Sequence, residues 1–152
     1  MKRHILHIDS DLGEIGKIQN EIGLGLNWTQ VSCLVDARRK LAEENFDLII
    51  MEADLSDGDG FHFCSWINKH PIYQKIPVIF LTKREGDIEK KHALQLGAHA
   101  YLTKPSSILE LKEAIQKSFL SPTMPGEFIE GIEEAPATSP DATSQDPFAE
   151  RP

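Results

Sequence analysis

The chain is expected to fold as an α/β domain: a five-stranded parallel sheet with helices on both faces. Short apolar runs alternate with segments of helical apolar spacing through the first 120 residues, the pattern of strands joined by crossover helices. The runs are nearly continuous in Ile, Leu and Val, as strands buried on both faces are. Several of them end in polar residues, at the edge where open sheets of this class place their ligands. At 152 residues, 40% apolar and 26% charged, the composition suits one domain with a core large enough to fold alone.

The expected strands are His4 to Ile8, Gln30 to Val35, Leu48 to Glu52, Val78 to Leu81 and Ala100 to Leu102. Between and after them, apolar spacing predicts helices over Leu12 to Ile22, Ala37 to Glu44, Gly60 to His70, Ile88 to Leu96 and Ile108 to Phe119. The last is the clearest, with Ile108, Leu111, Ile115 and Phe119 on one stripe and Ser107 with Glu110 placed for a capping box. Asp57, Gly58 and Asp59, after the third strand, read as turn formers.

From Ser121 the pattern stops. Residues 121 to 152 hold six of the nine prolines, seven acids and one base, a composition that cannot bury enough apolar surface to offset ordering entropy. The expected organisation is therefore a domain over 1–120 and an acidic, Pro-rich disordered tail over 121–152. The tail carries −6 of the formal −8 charge, so the first 120 residues have no basic stripe with which to bind nucleic acid. No apolar stretch reaches the ~20 residues of a membrane span and the N-terminus lacks a signal-peptide core, so a cytoplasmic home is expected. Cys33 and Cys64 stand apart without C-x-x-C spacing, and the six histidines are dispersed; His4 and His7 point to opposite faces of their strand. Neither a disulfide framework nor a zinc site is expected.

The chemistry gathers at four strand ends. The first strand runs into Asp9-Ser10-Asp11, the third ends in Glu52, the fourth meets Thr82 and the fifth is followed by Lys104. Right-handed crossovers would bring several of these to one edge of the sheet. No Walker or dinucleotide motif appears, and two acids after the first strand would repel the phosphate of a flavin nucleotide.

Ile5-Leu-His-Ile-Asp-Ser-Asp11, Asp47 to Gly60, Pro77-Val-Ile-Phe-Leu-Thr82 and Gly97-Ala-His-Ala-Tyr-Leu-Thr-Lys-Pro105 together resemble the response-regulator receiver domain of two-component signal transduction. The resemblance covers about residues 3 to 120 and implies a flavodoxin-like (βα)5 fold with strand order 2-1-3-4-5. In that family an aspartate ending the third strand takes a phosphoryl group, a pair of acids after the first strand holds Mg²⁺, and a lysine and a hydroxyl bind the phosphoryl oxygens. Thr82 and Lys104 match the last two roles, Tyr101 the aromatic that reorients on activation, and Pro105 the proline after the lysine, whose peptide bond is often cis. Metal-site positions fall on Asp9, Glu52 and, through its backbone carbonyl, Asp54.

Two departures fall on the chemistry. Glu52 occupies the phosphoacceptor position, and Ser10 replaces the second acid of the metal pair. The extra methylene of Glu52 moves the carboxylate by roughly 1.5 Å, whereas in-line transfer needs geometry held to about 0.5 Å. Losing an acid also weakens a hard-cation site, since a unit-charge contact at 4 Å is worth about 4 kcal/mol gross at an effective dielectric of 20, before desolvation. No cofactor is expected, with Mg²⁺ affinity weakened. A shifted register with Asp54 or Asp57 as acceptor would shorten the distance to Gly60 and break the match.

The resemblance therefore implies an atypical receiver, or pseudo-receiver, without enzyme activity. It would act by protein contacts through its fourth helix, fifth strand and fifth helix, independently of aspartyl phosphorylation. The competing expectation is a phosphorylatable receiver in a phosphorelay, with a histidine kinase or phosphotransfer protein as partner. Because nothing in the sequence after residue 120 reads as an effector domain, output is expected through a partner or the tail.

Overall fold

The computed structural model describes residues 2–11, 15–23 and 25–120. The expected tail lies outside the described residues, as do positions 12–14 of the first expected helix.

Five parallel strands form the main sheet: β1 (His4–Ile8), β2 (Asn27–Val31), β3 (Leu48–Met51), β6 (Val78–Thr82) and β7 (Ala100–Thr103). A two-stranded antiparallel hairpin, β4 (Asp54–Leu55) with β5 (Gly58–Asp59), follows β3. The sheet order is β2-β1-β3-β6-β7, which counts as 2-1-3-4-5 over the sheet strands alone. Helices α1 (Ile15–Ile22), α2 (Leu34–Glu43), α3 (Gly60–Lys69), α4 (Asp87–Gln95) and α5 (Ile108–Leu120) complete the described fold.

The period of two along a strand divides the core into two layers. Leu6, Ile8, Ile49, Met51 and Phe80 face α2, α3 and α4, where Leu34, Ala37, Leu41, Phe61, Phe63, Ile67 and Ala93 meet them. Ile5, Leu48, Ile50, Ile79 and Leu81 face the other way, onto Ile18 and Ile22 of α1 and Leu111 and Ile115 of α5. All four side chains of β3 are fully buried, which explains its unbroken apolar sequence. The box at the start of α5 forms as expected: the Glu110 N–H donates to Ser107 Oγ at 3.0 Å and the Ser107 N–H to Glu110 Oε1 at 3.4 Å.

The second strand and second helix correct the sequence reading. The strand is Asn27–Val31, not Gln30 to Val35, and the helix begins at Leu34 rather than Ala37. Leu34, Ala37 and Leu41 form one buried helical stripe, so Leu34 is the first core residue of a helix and not the end of a strand. What starts α2 there is Asp57, at the tip of the β4–β5 hairpin, whose carboxylate accepts the Leu34 and Val35 N–H groups at 2.9 Å each. These bonds, Leu34 first, hold the Asp57 carboxyl below the usual carboxylate range. Asp57 thus ties the loop after β3 to the neighbouring helix, a role beyond that of turn former.

Gly60, opening α3, is needed for close approach: a Cβ there would stand 2.7 Å from the Glu52 carbonyl oxygen and 3.0 Å from Ala53 Cα. Its own N–H donates to the Ala53 carbonyl at 2.7 Å, folding the hairpin back beneath the end of β3.

His7 is the one imidazole sealed in the sheet, 1% exposed in the second half of β1, and neither ring nitrogen has a hydrogen-bond partner. Burial pushes its pKa down to about 4 from 6.5, with Asp9 opposing and Lys104 reinforcing the shift. The unfolded chain takes up this proton between pH 6.5 and about 4 while the folded chain resists it, so the His7 contribution is complete above pH 6.5 and lost on acidification through that window. His7→Leu should therefore remove about 3 kcal/mol of acid sensitivity. Urea unfolding of both proteins at either end of this range measures it, as a smaller loss of midpoint in the variant.

Candidate functional site at the carboxyl edge of the sheet

Strand order determines which polar ends meet. β1 and β3 are neighbours, β6 lies next to β3 and β7 next to β6, so Asp9, Glu52, Thr82 and Lys104 leave the same edge in sequence. The Asp9 N–H donates to Val31 and the Glu52 N–H to Ile8, which extends the ladder to the two carboxylates and fixes their origins.

At the centre are three nearly buried charges: Asp9 (4% exposed), Glu52 (6%) and the Lys104 side chain (8%). Lys104 Nζ donates to Asp9 Oδ2 at 2.6 Å and stands 3.3 Å from Glu52 Oε1. Asp9 Oδ1 accepts the Asp11 N–H at 2.9 Å. Glu52 Oε2 accepts from the Ala53 N–H (2.7 Å), the Asp54 N–H (3.2 Å) and the fully buried Thr82 hydroxyl, while Oε1 accepts the Lys83 N–H at 3.3 Å. Each of the four carboxylate oxygens has at least one donor. Burial works to lower the pKa of Lys104, but the hydrogen bond and charge of Asp9, followed by the charge of Glu52, outweigh it and hold the ammonium above the ordinary lysine value.

The other expected site residues are arranged around this centre. Ser10 is exposed, and with Asp9, Asp11, Glu52, Asp54, Lys83 and Lys104 it lines a cavity of about 130 Å³. The Asp54 side chain leans outward to an ion pair with Arg84. Tyr101 is buried against the β6–α4 loop, its hydroxyl donating to the Arg84 carbonyl at 2.6 Å. The Lys104–Pro105 peptide bond is cis.

Sequence reasoning missed Arg84, and with it the link between the pocket and Tyr101. Its signal was positional: Asp54 and Arg84 each lie two residues beyond the polar ends, Glu52 and Thr82, of adjacent parallel strands. Opposite charges at matching offsets there are brought side by side.

The family model for the response regulator receiver domain matches residues 12–116. Among curated proteins, the chain is 35% identical over 115 residues to the transcriptional regulatory protein GltR of Pseudomonas aeruginosa, covering 75% of this chain and 48% of the relative. It is 34% identical over 111 residues to the swarming motility regulation protein RssB of Serratia marcescens, covering 71% and 49%. The chain thus spans about half the length of these relatives. A solved two-component response regulator from Clostridium difficile matches with a TM-score of 0.68 at 30% identity, covering 78% of this chain and 96% of that one.

Removing the ammonium from the centre would leave two buried carboxylates facing each other. Lys104→Met should destabilise the fold by about 3 kcal/mol, and adding Asp9→Asn should return part of the loss. A double-mutant cycle by chemical denaturation reads both.

Proposed function

Because the chain belongs to the response regulator receiver domain family, we propose that it is a signalling module of that family that works through protein contacts and does not depend on aspartyl phosphorylation. The observation that carries this reading is the saturation of Glu52. At the position where the family places its phosphoacceptor, both carboxylate oxygens are already engaged by Thr82, Lys104 and three backbone N–H groups.

An acceptor needs an oxygen free to attack in line. Glu52 Oε2 accepts three hydrogen bonds, and Oε1 lies between Lys104 and the Lys83 N–H. In this reading Thr82 and Lys104, suited to holding phosphoryl oxygens, hold the Glu52 carboxylate instead. The longer side chain fills part of the space the phosphoryl group would take and keeps the module near one state.

Mg²⁺ fits these residues poorly. The ion takes oxygen ligands at about 2.1 Å in near-octahedral geometry, yet Asp9 Oδ2 is held by Lys104 Nζ at 2.6 Å, and Ser10 is neutral. The Lys104 ammonium sits between the two acids as a built-in cation, so no step is assigned to a metal.

The contact surface proposed for a protein partner is the face of α4, β7 and α5. Support comes from a cavity of about 360 Å³ there, lined by Gly86, Asp87, Lys90, Tyr101, Leu102, Thr103 and Glu110, and from the exposure of Ile88 and Leu109 on the two flanking helices. Among the described residues no helix is long and apolar enough to cross a membrane.

Incubation with acetyl phosphate and excess Mg²⁺, acid quench and intact-mass measurement test the reading. The wild-type chain should gain no phosphoryl group, whereas the Glu52→Asp, Ser10→Asp double variant should gain one. A phosphorylated wild type would instead establish a phosphorelay receiver using Glu52 or a neighbouring acid. In the contact reading, Glu52→Ala should weaken capture of the partner at least tenfold while leaving the circular dichroism spectrum unchanged.

A further inference from the structure

Contacts from three segments converge on Arg84, in the loop between β6 and α4. Its backbone N–H donates to Thr82 Oγ1 at 3.1 Å, and that hydroxyl in turn donates to Glu52. Its carbonyl accepts the Tyr101 hydroxyl at 2.6 Å. The guanidinium pairs with Asp54 Oδ1 and lies over the Phe61 ring, 4.8 Å from its centroid. Asp54 belongs to the hairpin and Phe61 to α3, so the side chain fastens the β6–α4 loop to the segment following β3. Phe61 also packs against Tyr101 and His92, which extends the cluster to β7 and α4.

We propose that Arg84 is a positioning residue, a latch whose ion pair with Asp54, a residue lining the Glu52 pocket, fastens the β6–α4 loop and holds Thr82 on Glu52 and Tyr101 inward. The latch deepens the contact-module reading and rests on it: where a covalent phosphoryl group would fix this loop, an internal ion pair does so instead. Its strength is limited by exposure. The Arg84 and Asp54 side chains are 31% and 64% exposed, so the pair alone biases the loop only a few-fold, and stacking on Phe61 adds to it. Such a latch is releasable by a partner that competes for Asp54 or Arg84 at the pocket rim.

The chain has two tyrosines, so 3-fluorotyrosine labelling of the full chain gives two ¹⁹F resonances, with Tyr73→Phe assigning the Tyr101 signal. A soluble paramagnetic quencher then reads how often Tyr101 turns outward. Asp54→Asn should raise quenching of Tyr101 about threefold and Arg84→Met, which also removes the stacking on Phe61, about three- to tenfold, and high salt should move the unsubstituted chain in the same direction as Asp54→Asn. The charge exchange Asp54→Arg with Arg84→Asp should restore the part of the protection that the ion pair supplies, without the stacking on Phe61. Asp54 is exposed, so Asp54→Asn tests the latch without endangering the fold, and an unchanged Tyr101 signal in that variant and in high salt overturns the proposal. Phosphoryl transfer is read separately by mass: a loosened Tyr101 in a chain that accepts phosphoryl would keep the latch and discard the contact-module reading. A fixed Tyr101 in a chain that refuses it would do the reverse.

Discussion

The Lys104 ammonium between Asp9 and Glu52 is the interaction on which the carboxyl edge depends. Two buried carboxylates on neighbouring strands repel each other, and removing either from water is costly unless geometry and hydrogen bonding are nearly complete. The compensating charge comes from 95 residues away in sequence, beyond the strand at the far side of the sheet. Adjacent strands are about 4.8 Å apart, so the side chain has to bridge a wide part of the edge to reach Asp9. A long, flexible stem with a compact cation suits that reach better than a planar guanidinium. The ends of β1, β3 and β7 are thus coupled electrostatically, and the backbone N–H groups of Asp11, Ala53, Asp54 and Lys83 complete the solvation of the two acids.

Much of this architecture was legible because burial on both faces leaves a strong imprint. Leu48–Met51 and Val78–Thr82 are buried at every position, and their sequences admit little but apolar residues until the edge is reached. The polar residue ending each run was therefore readable as belonging to a site. β2 was misplaced for the complementary reason. It is an edge strand, mostly half-buried or exposed, and Asn-Trp-Thr-Gln-Val carries neither clean alternation nor a continuous apolar run. The start of α2 was hidden for another: the carboxylate that satisfies its first N–H groups belongs to Asp57, 22 and 23 residues later, and local capping patterns cannot reveal a cap supplied from another loop.

Thr82 shows how a single hydroxyl can give direction to a network. Its one proton is committed to Glu52, so toward Arg84 the oxygen can only accept, and it does so from the backbone N–H. Arg84 then presents its carbonyl to the Tyr101 hydroxyl. The chain from carboxylate to phenol therefore passes through the Thr82 hydroxyl and then through the main-chain N–H and carbonyl of Arg84. The guanidinium arm, on Asp54 and Phe61, is the part of the network that a competing ion can reach. Sequence alone exposed Glu52, Thr82 and Tyr101, while the link that Arg84 makes between the last two is built from backbone atoms and leaves no mark in residue type.

Switching by a ligand requires a site that is better satisfied with the ligand than without it, since a ligand shifts an equilibrium only by its differential affinity for the two states. An aspartate-length carboxylate at the end of β3 would stop short of Thr82, leaving that hydroxyl without its acceptor and the ammonium with Asp9 alone. Glu52 reaches them and meets the same donors within its own chain. On the proposed reading, the extra methylene removes the differential that phosphorylation would exploit, and the remaining adjustable element is the rim, where Arg84 and Asp54 are reachable from solvent. On that same reading, control passes from chemistry inside the pocket to competition at its rim, a role that suits a binding partner better than a phosphodonor.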